Sequence, residues 1–372
     1  MPAAKSSADN SAAPSDPRLQ GEFYMKTYRF IFFTLLLGLG LLAGCSSQTA
    51  QTEQNQPESD GGLEKIVMAE PVRGYHWAQA YLAETLGYFE EEGLDVEFQT
   101  IRGSDPTAAL LSGDVQFCLK GNETPLLLAE RGKGSKALVS FTQGYPFQLV
   151  SAGPEYSTLE SLRGKAISGG RSENSGPSTF AKACFNDAGV DADKEISYIN
   201  MLSSDYASAM ERGELQAAVG TTPWGAKLLR DRGGVVLVDG TDRETMQKLT
   251  GSGTVELFIL MATDDYIDAH PEQVQKVVNA IVKAMQWMEA ASPEEIAAQL
   301  SPLFQSADEE LLYDAQYDKE HQIASYTGYH TESGYRASVA LQKKAGGITK
   351  DYPAEQMYDE SFLDTAWKTL GK

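Results

Sequence analysis

Short apolar runs alternate with amphipathic segments from Leu63 onward, and this alternation is the strongest constraint on the fold of the chain. The run KIVMAE predicts a buried strand, and the segment after it, HWAQAYLAETLGYFEEEG, carries apolar residues at helical spacing. LDVEFQTI, VQFCLKG and KALVSFT predict further strands, separated from one another by short helices. Strands that alternate with helices form largely parallel sheets, so the sequence predicts an α/β fold.

Several predicted helices begin with a proline, which suits the first helical turn because its missing N–H would have no partner there. These starts are Asp105-Pro106, Thr124-Pro125, Gly176-Pro177 and Thr222-Pro223, and the helices end near Gly113, Gly132, Gly189 and Gly233. Three polar loops, KGNET, GGRSENSG and GTT, therefore join strand ends to helix starts. Ligands of open α/β sheets bind at that edge, and the free N–H groups of helix starts favour an anion or a polar acceptor.

The N-terminal region has the parts of an export signal. Lys26 and Arg29 precede an apolar run, residues 30–43, which is short for a membrane span and is followed by Gly44 and Cys45. This pattern resembles a bacterial lipoprotein signal, in which the cysteine becomes the lipidated first residue of the mature protein.

We therefore expect residues 1–44 to be a signal region whose true start is Met25. Lipidation is expected at Cys45, and residues 45–62, which are polar, are expected to form a flexible tether.

Composition excludes some functions. The net charge of -21 disfavours binding to nucleic acid, because an acidic surface repels phosphate backbones. Cys118 and Cys184 lie in apolar patterns and are expected to be buried small side chains rather than a disulfide or metal ligands. No cofactor is expected, since the four histidines stand in no metal motif and no nucleophile elbow or phosphate loop occurs.

A long amphipathic helix is predicted in the segment HPEQVQKVVNAIVKAMQWMEAASPEE. Its apolar stripe is expected to pack against the core rather than to bind a ligand, and it comprises Val274, Val277, Val278, Ile281, Met285 and Met288.

Five phrases in this order resemble the solute-binding proteins of the nitrate/sulfonate/taurine type, which are related to the thiamine-precursor-binding proteins. They are LGYFEEEGLDVEF, LSGDVQFCLKGNETPLLLAERGK, LESLRGKAISGGRSENSGPSTFAKACFNDAGVDADKEISYIN, ASAMERGELQAAVGTTPWGAKLL and HPEQVQKVVNAIVKAM. The resemblance spans roughly Leu63 to Gln305. It implies a two-lobe periplasmic-binding-protein-like fold of type II, with mixed sheets flanked by helices, that closes on its ligand by hinge motion. The first lobe would comprise residues 63–146 and 258–372, and the second lobe residues 147–257.

The pocket loops of that family correspond to five stretches of this sequence. Carried over by resemblance, the ligand-binding residues would be Arg73, Tyr75, His76, Trp77, Asn122, Glu123, Thr124, Tyr145, Phe147, Ser172, Asn174, Ser175, Gly176, Thr221, Thr222 and Trp224. Several of them also have simpler explanations: the tryptophans as core residues, His76 and Glu123 as helix caps, and Ser172 and Ser175 as turn formers.

The family implies a monomeric, extracytoplasmic receptor, lipid-anchored to the membrane, that delivers a small solute to an ABC permease and its ATPase. Family frequency favours a small sulfonate, nitrate or taurine, for which Arg73, Arg171 and Lys120 could supply positive charge. Glu70 and Glu123 at the same edge would repel such an anion, and the aromatic content favours a ringed ligand such as a pyrimidine precursor of thiamine. Some proteins of this fold are enzymes, and catalysis is a further alternative that the missing motifs disfavour.

Overall fold

The computed structural model describes residues 62–101, 106–170, 175–221, 223–304 and 308–371. The expected signal region, Cys45 and residues 45–61 of the expected tether lie outside these ranges, as do Ser172, Asn174 and Thr222. Within the described ranges, no helix is both long enough and apolar enough to cross a lipid bilayer.

The described strands form two sheets of five strands each. In chain order the strands are β1 (Glu64–Glu70), β2 (Leu94–Thr100), β3 (Phe117–Gly121), β4 (Ser135–Ser140), β5 (Phe147–Ser151), β6 (Ala166–Ser168), β7 (Ser197–Tyr198), β8 (Ala217–Thr221), β9 (Val235–Asp239) and β10 (Phe258–Thr263). The first sheet has the order β2-β1-β3-β10-β4 and the second the order β7-β6-β8-β5-β9. We call the part of the chain built around each sheet the first lobe and the second lobe.

Both sheets have the same mixed pattern. In the first sheet β1 is parallel to β2 and β3, whereas β10 is antiparallel to β3 and β4. In the second sheet β6 is parallel to β7 and β8, whereas β5 is antiparallel to β8 and β9. The antiparallel strand is in each case the first one after the chain has crossed from the other sheet. The mixed α/β architecture predicted from the sequence is thereby confirmed.

Helices flank both sheets. They are α1 (Ala78–Thr85), α2 (Tyr88–Glu91), α3 (Pro106–Ser112), α4 (Glu123–Glu130), α5 (Gly176–Asp187), α6 (Tyr206–Glu211), α7 (Trp224–Arg230), α8 (Arg243–Thr250), α9 (Asp264–Ala269), α10 (Pro271–Ala290), α11 (Pro293–Leu300), α12 (Asp308–His321), α13 (Glu332–Lys344), α14 (Ala354–Met357) and α15 (Ser361–Thr369). The expected first helix is divided into α1 and α2 because Gly87, with φ 78°, adopts the left-handed conformation between them.

The proline-led helix starts are confirmed in outline. Pro106 opens α3, Pro177 lies in the first turn of α5, and Pro223 is the N-cap residue of α7. The exception is α4, which begins two residues before Pro125, at Glu123. The glycines expected at the helix ends, Gly113, Gly132, Gly189 and Gly233, all have φ between 70° and 87°.

The apolar stripe of α10 packs as predicted. All six of its residues are fully buried, and the helix lies against α1, α2 and α15 of the first lobe. Cys118 and Cys184 are free and buried, in agreement with their expected role as small core side chains. Burial raises the pKa of the Cys184 thiol, so this thiol stays protonated.

Two helices near the C-terminus connect the lobes. Helix α13, which lies in the range 258–372 that is expected to belong to the first lobe, packs against α5 and α8 of the second lobe as well as against α4. Lys344 at the end of α13 forms an ion pair with Asp187 of α5. Helix α12 packs on α11 and also contacts α7. These contacts depend on where the helices are placed in space and not on a local sequence pattern. They could therefore not be predicted from the sequence.

The helix that carries Trp224 sits directly on the second sheet. A Cβ atom at Gly220 of β8 would lie 2.8 Å from the Cα atom of Ala226, a backbone atom of α7 that cannot move independently. We expect Gly220→Ala to lower the free energy of unfolding by about 1–3 kcal/mol through overpacking. Gly225→Ala is the matched control, because no atom lies within 4 Å of its new Cβ.

Gly225→Ala should raise the free energy of unfolding by up to about 1 kcal/mol, since alanine is the better helix former. Urea denaturation followed by circular dichroism measures both variants. Equal shifts of the two midpoints in the same direction would contradict the close packing of α7 on β8.

Candidate functional site

A cleft opens between the two lobes where strand ends meet helix starts. Its empty volume is about 1260 Å³, which includes solvent-filled space at its open mouth. The first lobe contributes residues 72–76, Gln79 and the crossing residues Phe141 and Thr142, and the second lobe contributes the end of β8 and the start of α7. A third wall, formed by α12, includes Asp314 and Asp318. The cleft is therefore lined by elements that are far apart in sequence.

Five of the predicted ligand-binding residues line this cleft: Arg73, Tyr75, His76, Thr221 and Trp224. Trp224 is half-buried, and its ring meets that of Tyr313 edge-on at a centroid distance of 5.8 Å. The start of α7 thus presents an aromatic side chain to the cleft.

A second group of predicted residues lies in a buried layer and does not line the cleft. It comprises Asn122, Glu123, Thr124, Tyr145, Phe147 and Gly176. A Cβ atom at Gly176 would lie 3.3 Å from the ring of Phe147 and 3.6 Å from Oε1 of Glu123, so these residues of both lobes meet. Asn122 donates a hydrogen bond to the hydroxyl of Tyr358 at 2.8 Å.

Other predicted residues have structural roles. Trp77 is only 1% exposed and packs against Phe258, which corresponds to the core interpretation of this tryptophan. Ser175 caps α5: its hydroxyl accepts a hydrogen bond from the N–H of Ser178 and donates one to the carbonyl of Gly169. Lys120, considered as a source of positive charge, does not line the cleft, and Arg171 lies outside the described residues.

Arg73 lines the cleft, but its guanidinium is engaged by the first lobe. Nε donates to Oε1 of Glu70 at 3.0 Å, and the two Nη atoms donate to the carbonyls of Leu303 and Phe98. Glu70 is fully buried and also accepts hydrogen bonds from the hydroxyls of Tyr81 and Thr100. This guanidinium therefore compensates a buried carboxylate.

His76 presents a neutral imidazole to the cleft. Its ring stacks on Phe258 at a centroid distance of 4.0 Å, and burial lowers its pKa to about 3. A neutral imidazole can donate one hydrogen bond and accept another. Tyr75, its neighbour, has a buried hydroxyl with no hydrogen-bond partner among the described residues.

The sequence prediction missed the acidic wall formed by α12. Asp314 and Asp318 are 6% and 4% exposed, yet both line the cleft together with Glu310 and Tyr317. Burial is the main reason that the pKa of Asp314 rises to about 8 and that of Asp318 to about 6. A repeated Tyr-Asp pair, Tyr313-Asp314 and Tyr317-Asp318, was the available signal, since positions four apart share one helical face.

Positive charge near the second-lobe wall is also engaged. Lys227 on α7 forms an ion pair with Asp231, and Arg230 donates to the side chain of Gln148. Among the described residues that line the cleft, Arg73 is the one Lys or Arg. The described part of the cleft is therefore acidic and aromatic.

Known structures share this architecture. The periplasmic nitrate-binding protein NrtA of Synechocystis PCC 6803 matches 83% of this chain and 89% of its own, with a TM-score of 0.67 and 12% identity. The periplasmic aliphatic sulphonate-binding protein SsuA of Escherichia coli matches 81% of this chain and 99% of its own, with a TM-score of 0.58 and 16% identity. Two mixed sheets and a cleft between them define this protein as one of the periplasmic-binding-protein fold, with two lobes.

The family follows from the sequence comparison. The model of the family described as NMT1/THI5 like matches residues 75–296, and the chain belongs to this family. YtlA of Bacillus subtilis (strain 168), whose name describes it as a binding protein, is 26% identical over 310 residues, which cover 81% of this chain and 90% of YtlA. The family membership inferred from the five sequence phrases is thus confirmed.

Proposed function

We propose that this protein is the extracytoplasmic solute receptor of an ABC importer, anchored to the membrane by a lipid on Cys45. The observation that carries the proposal is the cleft, whose walls come from both lobes and which is large enough for a small molecule. Solved structures of the same fold, under 25% identical to this chain, are named as nitrate- and sulphonate-binding proteins. Their names support a transport role, and the side chains that line the cleft indicate which kind of solute it binds.

Capture by lobe closure is the proposed mechanism, and no bond is broken. Thr142 in the first crossing accepts hydrogen bonds from the N–H groups of Leu257 and Phe258 in the second, both at 3.2 Å. This contact ties the two crossings together, which favours motion about a common hinge. On the opposite side, the N–H of Trp224 donates to Asp314 at 3.1 Å. Such contacts between α7 and α12 would form on closure, and a closed face would then be presented to the permease.

The family includes binders of small anions, and a sulfonate, nitrate or taurine was the first expectation for the solute. The cleft supports the alternative, a ringed heterocycle. Arg73 is occupied by Glu70, and the acidic α12 wall would repel an anion. The ring of Trp224 and the imidazole of His76 both line the cleft and suit a flat ligand.

The proposal predicts that protein purified from its own host carries a small molecule. Native mass spectrometry should show the chain with one bound solute, and denaturation should release it for identification. The same spectrum should show a mature chain that begins at lipidated Cys45. A preparation without bound solute that also gives no saturable binding would contradict the receptor function, and a chain retaining residues 1–44 would contradict the anchor.

Trp224 offers a matched test of the cleft on the identified solute. We expect Trp224→Ala to weaken binding by about three- to tenfold, because a stacking contact contributes about 0.5–1.5 kcal/mol. Trp224→Phe keeps a ring face and should retain most of the affinity in titration calorimetry. If the wild type and both variants bind the solute with equal affinity, Trp224 does not contact it.

A further inference from the structure

We infer that the solute carries a positively charged nitrogen, as a protonated amine or an amidinium group, which Asp314 and Asp318 bind from the α12 wall of the cleft. This inference rests on the receptor function proposed above and names the chemical class of its solute. Both carboxylates line the cleft although they are 6% and 4% exposed. They lie one helical turn apart and share one face of α12.

The two carboxylates have few partners in the protein. Among the described residues, Asp314 accepts one hydrogen bond, from the N–H of Trp224. Asp318 accepts from the N–H of Ala324 at 2.6 Å and from the hydroxyl of Tyr326 at 3.5 Å. A carboxylate offers about four acceptor positions, so both groups keep capacity for a ligand that donates N–H bonds.

A second group points to the same ligand position. The hydroxyl of Tyr75 belongs to a side chain that lines the same cleft and is 9% exposed, and it has no hydrogen-bond partner among the described residues. Tyr75 begins the short turn Tyr75–Trp77, which packs against α12. Burial raises the pKa of this phenol most, and the charge of Asp318, together with a contact to it that does not reach hydrogen-bond geometry, raises it further. Buried hydroxyls in native proteins nearly always have a partner. A polar ligand bound beside Asp318 would supply it.

The one Lys or Arg that lines the described cleft is not paired with these acids. Arg73 is held by Glu70 and two carbonyls of the first lobe. Lys319 follows Asp318 in sequence, and its charge lowers the pKa of that carboxyl, although burial outweighs this effect. Its Nζ donates to the carbonyls of Met288 and Glu289 at 2.7 and 2.9 Å. Burying carboxylates without a paired cation is costly, and a cationic ligand would remove that cost on binding.

The protonation state of Asp314 is expected to change when a cationic ligand binds. Burial and the charges of Glu310 and Asp318 raise the pKa of Asp314 to about 8, so this acid is largely protonated at neutral pH without ligand. A cation would favour the charged carboxylate, and its binding would release a proton to solvent. The rings of Tyr317 and Trp224 also line the cleft, and aromatic faces suit a flat ligand.

Three probes of one shape and three charges test this assignment: benzamidinium, benzamide and benzenesulfonate. Titration calorimetry of the full-length protein in detergent should give saturable binding of benzamidinium, at least about tenfold tighter than that of benzamide. Benzenesulfonate should not bind. In buffers of different ionisation enthalpy, the heat should report proton release on benzamidinium binding.

Asp314→Asn and Asp318→Asn should each weaken benzamidinium binding by about 30-fold or more, because each removes one charge of a desolvated ion pair. Glu320→Gln, an exposed substitution on the same helix, is the matched control and should bind like the wild type. Circular dichroism shows that each variant is folded before titration.

Tighter binding of benzamide or benzenesulfonate, no binding of benzamidinium, or asparagine variants that bind like the wild type would each overturn the charge assignment. The receptor function would still stand if native mass spectrometry finds a bound solute without a cationic nitrogen. It fails together with the charge assignment if no probe binds and no solute is found.

Discussion

Arg73→Met is expected to lower the free energy of unfolding by about 3–5 kcal/mol, because it leaves a buried carboxylate without its cation. Glu70 is fully buried, and the guanidinium of Arg73 lies 3.0 Å from its Oε1 atom. Hydroxyls of Tyr81 and Thr100 remain as donors to Glu70, but neutral donors compensate a buried charge only in part. Methionine keeps much of the aliphatic length of arginine, so the lost stability reflects the missing charge and hydrogen bonds of the guanidinium.

A second substitution, measured by urea denaturation, separates the loss of the ion pair between Arg73 and Glu70 from the loss of side-chain packing. The double variant Glu70→Gln with Arg73→Met should recover a large part of the lost stability, since no unpaired charge remains. Arg336→Met is the control, because its ion pair with Glu332 lies on the surface with both side chains 75% exposed. Its midpoint should stay at that of the wild type. A loss for Arg73→Met no greater than for Arg336→Met would disprove the role of Arg73 as the partner of Glu70.

The ligand-free protein is expected to lose stability as the pH rises from about 4 to about 8, in part through Asp314. Burial raises the pKa of this group from 3.8 to about 8, so the folded state holds a proton that the unfolded state has released. The free energy of unfolding therefore falls with pH, by at most about 1.4 kcal/mol per pH unit for one group. The groups that act on Asp314 are Glu310 and Asp318 from α12 and the N–H of Trp224 from α7, and the phenol of Tyr75 interacts with its charge.

Asp314→Asn should remove this contribution and be more stable than the wild type at pH 7, with a smaller difference at pH 4. Asparagine still offers an oxygen to the N–H of Trp224, so the contact between α7 and α12 is retained. Denaturation of both proteins at pH 4, 5, 6, 7 and 8, with Glu320→Gln as the control, measures the difference. A constant stability difference across this pH range would contradict burial of Asp314 as the cause.

Much of the fold could be predicted because it depends on local patterns. Alternating apolar runs predicted the strands, and the stripe of α10 was predicted residue by residue, since helical spacing alone decides which side chains face the core. Five of the predicted ligand-binding residues line the cleft, since strand ends and helix starts lie at one edge of each sheet, and their role in binding stays a prediction. Trp77 followed the same sequence pattern but packs inward against Phe258 of β10, a contact between residues that are distant in the chain.

The sequence by itself determined the fold class and the family, because apolar period, turn residues and loop order are properties of neighbouring positions in the chain. Only the tertiary structure decided the chemistry of the cleft. It paired Arg73 with Glu70, which removes a cation that the sequence seemed to offer to an anion. It also brought Asp314 and Asp318, more than 230 residues after Tyr75, to the cleft that Tyr75 lines. The charge of a binding site depends on which groups the fold brings together and removes from water. A local sequence pattern does not indicate which distant residues will meet.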